Sequence, residues 1–203
     1  MKTFKNSLFI LLALFAFSFS SWAQTATGPK RFRGTIEQIS LEKIVFKERS
    51  GETLEFKLGD KLSISEAYPE SIQKIQANSY IGSAAVLAPD GRLTALEVLI
   101  FPEAARGTGE GHYPWDLQNG STMTNATVQQ LNAGSSGKEM KVKYKDGEKT
   151  IHILDNTPIV SIRPADSSLL VPGAYALIVA SKDKEEWVAS RITVGRNGFK
   201  PPM

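Results

Sequence analysis

The sequence predicts an all-β chain of two tandem OB-like small barrels joined by an ordered loop, with β-sandwich modules as the alternative architecture. Apolar and polar residues alternate with a period of two, the signature of strands buried on one face. Met140, Val142 and Tyr144 alternate with Lys141, Lys143 and Lys145, and Ile44 and Phe46 with Lys43, Val45 and Lys47. Turn dipeptides separate the runs, SerGly at 50–51 and AspGly at 90–91 and 146–147, each able to take the positive backbone angle of a tight hairpin. The third observation is an internal repeat. RGTIEQISLEKIVFKERSGETLEFKLGDKLSISEAY returns roughly ninety-five residues later as TNATVQQLNAGSSGKEMKVKYKDGEKTIHILDNTPIVSI, and YIGSAAVLAPDGRLTALEVLIF pairs with YALIVASKDKEEWVASRITVG.

Residues 1–23 read as a secretory signal peptide. Lys2 and Lys5 precede an apolar run from Leu8 to about Phe19, and Ser21 and Ala23 supply the small residues of a cleavage site. The run is shorter than the roughly 20 apolar residues of a bilayer span. A mature chain beginning near Gln24, without a further transmembrane segment, is expected in the periplasm, or alternatively secreted. Loss of the two leader lysines brings the formal charge of +3 close to neutral, so charge lends no support to nucleic-acid binding. The chain has no cysteine, which removes disulfides, thiol catalysis and thiolate metal sites together.

Residues 30–101 form the first expected module. Three strands lead to PESIQKIQ, where Pro69 can open a short helix with Ile72 and Ile75 on one face, and two strands follow. Three strands, a short helix and two strands is the order of an OB barrel. Residues 102–122 form the interdomain loop. Residues 123–195 repeat the module, with PADSSLLVPG as a turn or a single helical turn in the helix position, and residues 196–203 are a C-terminal tail.

The loop concentrates the polar chemistry of the chain. Arg106, Glu110, His112, Tyr113, Trp115 and Asp116 are its candidate ligand-binding residues, and long ordered loops often carry function. The competing expectation is structural: Tyr113, Trp115 and Leu117 pack into the crevice between the modules as a strap, because modules of this size are marginal alone. His112, Glu110 and Asp116 are the candidate ligands of a divalent metal, a reading that requires the loop to fold back on itself. His152, in the strand IHIL, is expected to face outward.

Enzyme signatures fail on inspection. In GTGEG the last glycine spacing is wrong for a dinucleotide fingerprint, and Pro114 stands where a phosphate-binding helix would begin. There is no GxSxG elbow, and Glu103 with Glu110, seven apart in a loop, are read as solvated or bonded to backbone amides rather than as a glycosidase pair. The row Lys141, Lys143 and Lys145 is read as the solvated face of a strand. No catalytic residue and no cofactor are expected.

FPEAARGTGEGHYPWDL with STMTNATV after it, LLVPGA near the second crossover and the tail VGRNGFKPPM resemble a family of uncharacterised exported bacterial proteins with two OB-like repeats, some of whose members are labelled metal transporter permeases. The resemblance spans the mature chain and implies the fold and the export. It implies no activity and no catalytic residue, and the permease label conflicts with a chain that shows no spanning segment after the leader. The functional expectation is an exported non-enzymatic binding or scaffold protein of the cell envelope with an unidentified protein or small-ligand partner. The alternatives are a divalent-metal binder using the loop and a carbohydrate-binding module with Tyr113 and Trp115 as stacking platforms.

Overall fold

The computed structural model describes residues 28–134 and 137–202, so the expected signal peptide lies outside the described residues. Twelve strands form one continuous sheet. They are β1 (Lys30–Ile39), β2 (Lys43–Glu48), β3 (Thr53–Pro69), β4 (Tyr80–Leu87), β5 (Leu93–Ile100), β6 (Gly111–Pro114), β7 (Ser121–Ala133), β8 (Lys138–Tyr144), β9 (Gly147–Ile153), β10 (Ile159–Pro164), β11 (Tyr175–Asp183) and β12 (Glu186–Gly195).

The sheet closes twice. The first barrel runs β1-β2-β3-β12-β11 and back to β1, with β3 and β12 parallel and the other neighbours antiparallel. The second runs β7-β8-β9-β5-β4 and back to β7, with β9 and β5 parallel. Each has the strand order of an OB barrel.

The contiguous modules 30–101 and 123–195 are not the units that close. The first three strands of each half pair with the last two of the other, so the hairpins β4–β5 and β11–β12 are exchanged. The apolar residue after each crossover turn travels with its hairpin: Ile75 is buried in the second barrel and Leu170 in the first. A physical reason lies in β3, whose 17 residues would span about 55 Å if straight. Its far end runs past β2, stays beside β12 as far as Ala67, and on its other side pairs with β10 from Pro69↔Val160 to Ser65↔Pro164, while β10 also runs parallel to β5. The crossover into β4 therefore begins beside the second barrel.

The helix expected at PESIQKIQ is a single 3-10 turn, Ile72–Lys74, capped by Ser71, because Pro69 is still in β3 and too few residues remain to nucleate an α-helix. The corresponding turn in the second repeat is Ser167–Leu169, one helical turn as expected.

Period two holds inside both barrels. Ile44, Phe46 and Phe56 fill the first with Ile36, Ile178 and Ile192, and Phe46 meets Phe56 edge to face at 5.8 Å. Met140 and Val142 fill the second with Ile81, Ile151 and Ile153. A third cluster lies outside the two barrel cores: Ala67, Leu99, Val160 and Leu177, with Phe101, Ile162 and Phe199 packed against it. At its margin Glu66 is only 3% exposed, and its carboxylate binds Arg163 of β10 at 2.9 Å and Arg196 beyond β12 at 3.0 Å.

Candidate functional site

Residues 102–122 are more structured than a plain loop. A 3-10 turn covers Glu103–Ala105, β6 pairs with β7 from Gly111↔Asn125 to Pro114↔Thr122, and β7 already begins at Ser121. The GTGEG glycines have a conformational reason: Gly107, Gly109 and Gly111 take φ of 83°, 58° and 143°. Those angles are costly for other residues. A Cβ on Gly109 would stand 2.9 Å from the Asn125 amide nitrogen. The turn lets the chain fold tightly over Asn125 and Tyr113.

Each candidate side chain can be placed. Arg106 grips Glu103 through two nitrogens, donates to the Asn78 carbonyl at 2.8 Å and to the Thr127 hydroxyl at 3.3 Å, and lies 5.7 Å from the Tyr80 ring centre. The Tyr80 hydroxyl and the Asn125 amide both donate to the Thr108 carbonyl at 3.1 Å, and the same amide donates to the Tyr113 hydroxyl at 3.3 Å. Burial, with the Glu110 carboxylate and Tyr113 nearby, pushes the Tyr80 phenol up to about 12. Glu110 itself is exposed.

His112 stands opposite Thr124 on β7, its Nδ1 2.9 Å from that hydroxyl, and its ring stacks at 6.5 Å on Tyr144. Burial, and secondarily the charge of Lys149, hold its pKa below the usual histidine value. His152, expected to face outward, is instead 3% exposed. The strand start of β5 pairs beside it at Thr94, and Arg92 approaches its Nε2 at 3.3 Å, so an outward register is roofed over.

Trp115 and Asp116 reach the first barrel. The Arg31 guanidinium of β1 lies 3.9 Å from the centre of the Trp115 ring, and Tyr113 flanks the same ring at 6.1 Å. Asp116 accepts from Arg33 at 2.7 Å and lies 3.6 Å from Arg31. Arg49 donates to the backbone carbonyls of Leu117 and Asp116 at 2.8 and 3.0 Å. Three arginines of the first barrel thus hold the segment between β6 and β7, at the edge of the second. The sequence reading passes over Arg31, Arg33 and Arg49, since arginines alternating around Phe32 look like the wet side of a strand. Arg33 is 2% exposed, with Asp116 of the distant segment against its guanidinium.

The geometry separates the three candidate metal ligands. His112 bonds Thr124 and Asp116 is engaged by arginines; among the described residues no group of three or more histidine, aspartate or glutamate side chains could hold a metal ion. As a sugar platform, Trp115 has one face already covered by Arg31, and both it and Tyr113 are half-buried.

Fold and segment together define a class: a two-barrel, OB-type β protein interlocked by exchanged hairpins and latched by an arginine-held connection between β6 and β7. Compared with family models, curated proteins and solved structures, the chain has no match. Among the described residues no helix is long and apolar enough to cross a membrane.

Proposed function

We propose that this chain is an exported, non-enzymatic binding or scaffold protein of the cell envelope. The observation that carries the reading is where the loop's chemistry is spent. Arg106, His112, Tyr113, Trp115 and Asp116 each bond to or stack on other residues of the same chain, and two of them, Trp115 and Asp116, tie the segment at the edge of the second barrel to the first. A fixed pair of barrels presents two sets of OB rims at a constant spacing, which suits recognition more than turnover. The leader-like first 23 residues support export.

The test uses purified residues 24–203, assayed for turnover of chromogenic ester, phosphoester and glycoside substrates and scanned by thermal shift against peptidoglycan fragments, lipopolysaccharide and divalent metals. Stabilisation by an envelope component without turnover is expected; a ligand at a hundredfold its Kd adds about 2.7 kcal/mol. Specific turnover would overturn the reading. A metal-dependent shift lost in His112→Ala would replace it with the metal-binding alternative. Export is checked by finding the shortened chain, beginning near Gln24, in the periplasmic fraction.

A further inference from the structure

The repeat builds the same backbone frame twice. In one half the Asn78 N–H donates to the Val128 carbonyl and the Val128 N–H to the Ser79 carbonyl, both at 2.8 Å. In the other, the Gly173 N–H donates to the Ile36 carbonyl at 2.8 Å and the Ile36 N–H to the Ala174 carbonyl at 2.9 Å. The strand register repeats too: Tyr80 stands opposite Thr127, and Tyr175 opposite Thr35. Even the rare positive φ recurs, 71° at Asn78 and 87° at Gly173.

A cleft accompanies each frame. The one of about 250 Å³ is lined by residues that include Asn78, Tyr80, Phe101 and Arg106; the other, about 530 Å³, by residues that include Ser168, Val171, Gly173, Ala174 and Arg196. The smaller has an occupant from its own chain. Arg106 places its guanidinium on the Asn78 carbonyl and the Thr127 hydroxyl, within cation–π range of Tyr80. Phe101 packs on the same ring at 5.5 Å, and Tyr80 is 2% exposed. In the second half Gly195 stands where the first has Phe101, and Tyr175 is only half-buried.

Charge also differs between the halves in a way that suits a cation from outside. Arg106 brings its own counter-ion, Glu103. Beside the larger cleft, next to its lining residue Ser168, the exposed Asp166 accepts from the Ser168 N–H at 2.8 Å, where the first half has the neutral cap Ser71. Arg196 at the rim is already held by Glu66 at 3.0 Å.

We infer that the larger cleft receives an arginine side chain from a partner protein, with the guanidinium on the Gly173 carbonyl and the Thr35 hydroxyl beside the Tyr175 ring, as Arg106 is held in the other half. The inference deepens the binding reading above and rests on it. The probe is acetyl-Ala-Ala-Arg-amide, titrated into ¹⁵N-labelled residues 24–203 while the Gly173 and Ala174 amide resonances are followed. Saturable shifts at those amides are expected. Replacing arginine by citrulline, which keeps the shape and removes the charge, weakens binding about tenfold or more. Asp166→Asn, an exposed change that leaves the fold in place, weakens it severalfold, as does Thr35→Val. Equal binding of the citrulline peptide, shifts confined to other residues, or no shift at millimolar peptide would each overturn the assignment, while the separate scan of envelope components would still stand.

Discussion

Arg33 and Asp116 are 83 residues apart in the chain and 2.7 Å apart in space, the guanidinium all but buried and the carboxylate half open to solvent. This pair joins the first strand of one barrel to the segment that edges the other. Asp116→Ala leaves Arg33 without that acceptor and also removes the partner of Arg31. A cost of about 2 kcal/mol is expected, the range for a hydrogen bond to a charged group, read as a lower urea midpoint with an unchanged slope. An unaltered midpoint would show that the pair does not hold the barrels together.

Because each barrel takes strands from both sides of the β6–β7 turn, the peptide bond there is not what keeps the halves together. A protease site inserted between Asn119 and Gly120, both exposed and with open space around Gly120, can be cut in the folded protein. The two fragments are expected to co-elute on gel filtration and to separate only in denaturant. Separation in native buffer would contradict the exchanged pairing.

Glu66 tests the joint at β3 and β10. Its buried carboxylate binds Arg163 and Arg196, both half-exposed. Glu66→Ala breaks both contacts but leaves two arginines that water can reach, so a loss of about 2 kcal/mol is expected, the range for hydrogen bonds to a charged group. Glu66→Gln, which keeps an acceptor, should lose less. Calorimetric unfolding of the two variants in parallel checks the order, and a reversed order would rule out the carboxylate as the clamp.

Tyr80 gives a signed pH dependence. Its phenol titrates near 10 when unfolded and at about 12 in the fold, chiefly through burial. Between those values the folded chain keeps a proton that the unfolded chain has released, so stability falls as pH rises through this window and is unaffected below it. Tyr80→Phe should flatten the decline in urea titrations from pH 9 to 12, leaving the smaller share of Tyr113, which burial also raises. An unchanged slope would remove Tyr80 from the account.

The loop residues show how far local pattern reaches. Their concentration of chemistry is visible in the sequence; of the expected strap, Trp115 meets Arg31 of the first barrel and Leu117 is engaged through its carbonyl. What each side chain bonds to is not visible, because the partners Arg31, Arg33 and Arg49 lie on β1 and in the β2–β3 turn and carry no local mark of an interface. His152 illustrates the same limit. Its alternation in IHIL is correct, but an outward register becomes buried once β5 and Arg92 cover it.

The sequence by itself determined the all-β class, the turns and most of the faces that are buried, since a period of two states which side of a strand is apolar. Only the tertiary structure decided which hairpin closes which barrel. Each of the two hairpins, beginning at Tyr80 and Tyr175, buries an apolar face in the barrel it closes, Ile81 and Val98 in one and Ile178 and Ile192 in the other. The choice falls to the long reach of β3 and its pairing with β10, long-range terms that no local pattern encodes.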